Sequence, residues 1–324
     1  MKVSAPLCIL VFATACLAAE PTLVSDVDLT PDLVAAVNAQ NQERVHQLLA
    51  AGVPASAASA EGDTPLCAAL RLGLADVAKE LLEHGADATA CGSDRQPPVV
   101  LASLRRMPDV MKLLLDGGAN ANVTAATPVE PALLAAMNEG LLRGLLRHER
   151  RITPLMACAC RGDVESIALL ISHKANAETQ TLPNRWSALD LAAQKGYLYV
   201  MRLLLGRDPD TEPKVLVTVS LAKQMATLEI EGKLQFKTTV STGRAGFATP
   251  AGRYVVTHKY KDWKSTVYKV PMPFFMRLNS GDFGMHSGYV TGSPASHGCI
   301  RLPDAMARKF FDTITVGDEV VIEP

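Results

Sequence analysis

Between residues 28 and 207, apolar side chains follow helical spacing inside a longer period. Prolines stand at 65, 98 and 131, leucine pairs at 48–49, 81–82 and 114–115, and glycines at 52, 85 and 118, each set 33 residues apart. A proline suits the first turn of a helix, where its missing N–H has no partner to lose, and a glycine suits the residue past a helix end, where φ turns positive. The period therefore predicts a short helix opening at each proline, a second helix carrying the leucine pair, and a glycine stop. Six such units begin near residues 31, 64, 97, 130, 153 and 187. The fourth is short, since Pro131 and Pro154 are only 23 residues apart, and it is expected to bend the stack.

From residue 214 the period changes to two. Val215, Val217, Val219 and Leu221 alternate with Leu216, Thr218 and Ser220, and runs at 225–231 and 234–240 flank a turn at Gly232-Lys233. These read as antiparallel hairpins, with further strands at 253–259 and 319–322 and one helix at 304–311 after Pro303. Residues 208–213 carry two prolines, three acids and no apolar period, as a linker does.

Composition divides the chain at the same place. Of its 16 aromatic residues, twelve lie between Phe236 and Phe311, so the two halves are unlike domains, the first built on Ala and Leu. A net charge of -1 gives no electrostatic ground for a nucleic-acid partner. Residues 214–324 nevertheless hold 14 basic against 9 acidic side chains, a net of about +5 that favours an anionic polymer. Lys2 and the apolar run 5–19 have the layout of a cleaved signal peptide, residues 1–19, which implies export to the periplasm or cell envelope. Cys16 offers a lesser alternative, lipid attachment. No other stretch is long and apolar enough to span a membrane, so the mature protein is not expected to cross one. Cleavage removes Cys8 and Cys16 and leaves five thiols, an odd number. Pairing of Cys67 with Cys91 stays open, while Cys158 and Cys160 point to different sides of a helix.

Candidate chemistry is concentrated in Gly284-Met285-His286-Ser287-Gly288 and Ser296-His297-Gly298-Cys299-Ile300-Arg301. A thiol nucleophile needs a base within reach, a group fixing that base's tautomer, and N–H donors for the developing oxyanion. Cys299 supplies the thiol, either His286 or His297 can take its proton and favour the thiolate, and the N–H groups of Gly298 and Cys299 are candidate oxyanion donors. A metal site is not expected, because His286, His297 and Cys299 lack zinc-ligand spacing and a fourth ligand. Phe274, Phe275 and Phe283 are expected in the core.

Both halves resemble known families. Thr64-Pro65-Leu66, the leucine pairs and Gly85-Ala86-Asp87 resemble the ankyrin repeat, with Cys67, Met156 and Asp190 where its usual His stands. Ser296-His297-Gly298-Cys299-Ile300-Arg301 after a His-Ser-Gly, with Ser241-Thr242-Gly243 and Thr249-Pro250-Ala251-Gly252-Arg253-Tyr254, is similar to the L,D-transpeptidases of the YkuD family. The order His, then His-x-Cys, separates it from papain-like enzymes, where Cys comes first. The resemblance implies an all-α ankyrin-repeat solenoid followed by a mainly β catalytic domain over 214–324 that remodels peptidoglycan. It assigns Cys299 as nucleophile and His286 as base, with the backbone carbonyl of Ser287 orienting His286. Ser296, His297, Gly298 and Arg301 then shape the pocket and oxyanion site. No cofactor is implied; the partners would be peptidoglycan stem peptides and a protein bound by the repeats. The reaction it implies is 3→3 cross-linking through a thioester, with water, a D-amino acid or a protein lysine as alternative acceptors. The reading from another class makes the array the working part and the second domain a wall anchor.

Overall fold

The chain is described here from a computed structural model covering residues 32–207, 210, 214–265, 267–278 and 283–324. The expected signal peptide, with Cys8 and Cys16, and all of the expected linker but Asp210 lie outside the described residues.

Six helix pairs occupy the first half. They are α1 (Asp32–Asn38) and α2 (Gln42–Ala50), α3 (Pro65–Leu72) and α4 (Ala75–Glu83), and α5 (Pro98–Arg105) and α6 (Pro108–Asp116). After these come α7 (Pro131–Ala135) and α8 (Gly140–His148), α9 (Pro154–Ala159) and α10 (Val164–Ser172), and α11 (Ala188–Lys195) and α12 (Leu198–Leu204). Pro65, Pro98, Pro131 and Pro154 each open a helix, and Thr64 and Thr153 accept from the N–H groups of Cys67 and Met156, satisfying donors that the first turn leaves open. Asp190 has a similar reason to be where it is: its carboxylate accepts from the Ser187 N–H while Ser187 Oγ accepts from the Asp190 N–H, closing a capping box on α11.

The fourth unit departs from the expectation of a shortened member of the stack. Helix α5 packs directly on α9, and α6 on α10. Arg161, just past α9, donates to the carbonyls of Ser103 and Leu104 at the end of α5, and Asn122 Oδ1 accepts from the Asn176 N–H at 2.7 Å. The fifth unit therefore stacks on the third. The α7–α8 hairpin is an insertion that leaves the stack after α6, although Leu133, Leu142 and Leu146 remain buried in the common core.

Among the described residues, the second half is an eight-stranded sheet with one helix. Its elements are β1 (Val215–Ser220), β2 (Met225–Ile230), β3 (Lys233–Thr239), β4 (Gly252–Lys264), β5 (Pro271–Leu278), β6 (Gly284–Ser287), β7 (Ile300–Leu302), α13 (Asp304–Thr313) and β8 (Glu319–Glu323). The strand order is β3-β2-β1-β8-β4-β5-β6-β7. The hairpins β1–β2–β3 are antiparallel; β8 inserts parallel to β1 and antiparallel to β4. Strands β5, β6 and β7 have no clear period in the sequence. Pro271 and Pro273 remove ladder donors from β5 and Phe274 has φ 54, while β6 and β7 are four and three residues long.

The two halves touch. Helix α11 packs on β4, and Val255 of β4 belongs to the repeat core. Arg207 donates to the Val316 carbonyl at 2.6 Å and lies 3.4 Å from the buried carboxylate of Asp318, whose titration burial pushes upward. No described helix is long and apolar enough to cross a membrane.

Cys67 and Cys91 are not joined by a disulfide; Cys67 Sγ instead donates to the Ala90 carbonyl at 3.3 Å. Burial pushes the Cys67 thiol up to about 11 and those of Cys158 and Cys160 to about 12, which leaves them protonated and inert. Cys299 is half-buried and Cys91 is exposed, so the odd thiol count alone does not single out Cys299.

Candidate active site

Strands β6 and β7 run parallel, with Met285 opposite Ile300 and His286 opposite Arg301. Alternation along the two strands sends Met285, Ile300 and Leu302 into the core. His286, Cys299 and Arg301 face the other way and line a cavity of about 510 Å³. Ser296 and His297 also line it, together with Phe275 and Arg277 of β5, Trp263 of β4, and Val267, Tyr268 and Val270 from between those two strands.

His286 is buried, and its Nδ1 donates to the Ser287 carbonyl at 2.6 Å. That bond places the proton on Nδ1 and leaves Nε2 as acceptor. Burial pushes the ring down to about 4; the Ser287 bond opposes this, and the charge of Arg301 adds to it. The imidazole is therefore neutral at pH 7, the form a proton acceptor requires.

The turn before β7 is fixed from several sides. The N–H groups of Ala295 and Ser296 donate to the Thr242 carbonyl at 2.8 and 2.9 Å. Thr242 is held in turn by Gln224, which accepts its N–H at 2.9 Å and donates to its hydroxyl at 2.7 Å. Thr249 Oγ1 accepts from the Gly243 N–H and donates to the Gly298 carbonyl, both at 2.8 Å. Gly298 needs its missing side chain, with φ 109. Ser296 Oγ donates to the Cys299 carbonyl and accepts from the Gly298 N–H at 3.2 Å. The Gly298 N–H, expected as an oxyanion donor, thus has Ser296 Oγ as its acceptor.

The structure also separates the two histidines. His297 Nε2 accepts from Arg244 at 2.7 Å, and its ring centre is 4.7 Å from that of Phe247 and 4.7 Å from that of Tyr268. Ser287 contributes its carbonyl to His286, while its hydroxyl donates to Asp304 at 2.9 Å. Phe274 and Phe283 pack at the core as expected, but Phe275 also forms the cleft wall, 6.4 Å from the His286 ring. Gln224, Arg244, Trp263, Tyr268 and Arg277 were outside the sequence assignment. A hairpin turn and surface strands gave them no distinguishing pattern, and only the fold gathers them here.

Residues 33–125 and 132–214, more than half of the chain, match the family of ankyrin repeats, and residues 214–322 match the L,D-transpeptidase catalytic domain, YkuD. The chain belongs to the ankyrin-repeat family and carries a YkuD domain. The expected fold, a helical ankyrin region followed by a mainly β L,D-transpeptidase domain, is the one found. No curated protein matches the chain. Among solved structures, an L,D-transpeptidase from Mycobacterium smegmatis is similar at 23% identity over 35% of this chain and 59% of its own, with a TM-score of 0.33. One from Mycobacterium tuberculosis is similar at 25% identity over 35% and 58%, with a TM-score of 0.32. An Enterococcus faecium L,D-transpeptidase is similar at 23% identity over 34% and 49%, with a TM-score of 0.31. This ankyrin–YkuD chain thus spans under two thirds of the length of each.

Proposed function

We propose that the YkuD domain is an exported L,D-transpeptidase that acts on peptidoglycan stem peptides with Cys299 as nucleophile. The observation that carries this reading is one cleft lined by a half-buried thiol and by a buried, neutral imidazole whose Nδ1–H is held by Ser287.

In this reading Cys299 attacks the carbonyl of the L-centred third residue of a tetrapeptide stem as Nε2 of His286 takes the thiol proton. Burial and the Ser287 bond leave the resting ring neutral and able to accept that proton. The imidazolium returns the proton to the departing D-Ala amine and a thioester remains. The amine at the D-centre of a second stem then attacks the thioester, loses a proton to His286 and releases the thiol, giving a 3→3 cross-link. General base catalysis of this kind is worth about 10²–10⁴-fold. Ser296, Gly298 and Arg301 hold the turn and the pocket wall around Cys299.

The first nineteen residues support export to the periplasm or cell envelope, and the ankyrin array supports a protein partner there. Digestion of peptidoglycan exposed to the protein, followed by mass analysis, tests the reaction: 3→3 dimers are expected from wild type and none from Cys299→Ala. Cross-links from the alanine variant would remove Cys299 from the mechanism.

A further inference from the structure

The cleft holds two guanidinium groups, Arg277 and Arg301, and no carboxylate among its described lining residues. The two are differently placed. Arg301 stands opposite His286, and its stem packs against Gly288, where an added Cβ would come within 3.2 Å of Cγ and Cδ. Arg277 lies on β5, between Gly284 of β6 and His258 of β4. Its guanidinium sits 5.7 Å from the centre of the Trp263 ring, and its Nε is buried with no hydrogen-bond partner. Asp190 and Glu178 of the repeats act on the neighbouring His258, yet no described carboxylate pairs with Arg277 itself.

A buried charged donor without an acceptor is unfavourable, and a stacked guanidinium is preorganised for a planar, two-oxygen acceptor. The space in front of Arg277 is the cavity that Cys299 also lines. We propose that Arg277 is the group that recognises the terminal carboxylate of the departing residue. This rests on the transpeptidase reading of the cleft. In a tetrapeptide donor the carboxylate is separated from the attacked carbon only by the leaving amine and its α-carbon. Recognition within the cavity that Cys299 also lines would select a free terminal carboxylate over an amidated one.

The test uses the full chain and two tetrapeptide donors that differ only in ending as D-alanine or as D-alaninamide. Wild type is expected to favour the free acid by about ten- to a hundredfold in kcat/KM, most of it in KM, as for a hydrogen-bonded charge pair. Arg277→Gln should collapse that preference toward unity, and Arg277→Lys should restore part of it; if the Gln variant does not fold, the reduced preference of the Lys variant carries the test. A Gln variant, or failing that a Lys variant, that keeps the full preference overturns the assignment, as does a wild type that turns over both donors equally. A wild type that turns over neither donor and gains no mass from a carbapenem defeats the transpeptidase reading, and the role of Arg277 with it.

Discussion

His286 Nδ1 and the carbonyl oxygen of Ser287, its immediate neighbour on β6, lie 2.6 Å apart. The bond fixes which ring nitrogen carries the proton, and burial keeps the ring neutral far below its ordinary value of 6.5, down to about 4. Between those two values the unfolded chain binds a proton that the native domain refuses, so stability falls as pH drops through that window. Roughly 3 kcal/mol of stability is at stake. In urea unfolding between pH 6.5 and pH 4, His286→Asn should lose less stability than wild type. Parallel profiles for the two proteins would contradict a buried neutral ring. The same substitution should lower turnover by about 10²–10⁴-fold.

Ser296 joins Gly298 to Cys299 through one hydroxyl. Ser296→Ala leaves the Gly298 N–H and the Cys299 carbonyl without that partner, at a cost of about 1–3 kcal/mol. Because the turn carries the thiol, the rate of carbapenem acylation should fall further than the change in thermal midpoint alone accounts for. An unchanged acylation rate would separate the turn geometry from reactivity.

Two glycines should respond in opposite directions. A Cβ on Gly243 would lie 2.0 Å from the Phe247 carbonyl oxygen and 2.6 Å from the Thr249 nitrogen, both backbone atoms. Gly243→Ala should therefore destabilise the catalytic domain by at least about 1–3 kcal/mol and disturb the Thr249 bridge to Gly298. Gly144 lies inside α8 with open space around it, and Gly144→Ala should stabilise the protein by about 0.5–1 kcal/mol. Calorimetry of the two variants reads both signs.

Arg161 reaches from α9 to the carbonyls that close α5. Arg161→Ala should lower the stability of the repeat array by about 1–3 kcal/mol, because it strands acceptors at the third-to-fifth stacking step. Hydrogen exchange should then quicken in α5 and α9 together. Faster exchange confined to α7 and α8 would place that hairpin in the stack after all.

Local chemistry explains what could be read in advance. Proline at helix starts, glycine at helix ends and a period of 33 are short-range signals, and they place α1 to α6 without reference to any distant residue. Alternating valines do the same for β1. The spacing Ser296 to Arg301 likewise marks a turn leading into a strand, because the turn is built from its own neighbours. Nothing local tells whether the hairpin after Pro131 joins the stack, since its leucines are apolar in either place. Nor does local pattern reveal β5, whose prolines argue against a strand until β4 and β6 are present on either side to bond it.

The sequence alone therefore determined the two-part architecture and brought Cys299, His286 and His297 forward as candidates. Tertiary structure gave the two histidines different partners, Arg244 at His297 Nε2 and the Ser287 carbonyl at His286 Nδ1. It also placed Trp263 and Arg277 in the lining of the cavity that Cys299 shares. The reason is physical: identity and spacing set backbone preferences within a turn or strand, whereas the partner of a ring nitrogen and the charge facing a cleft depend on strands that meet only when the sheet forms.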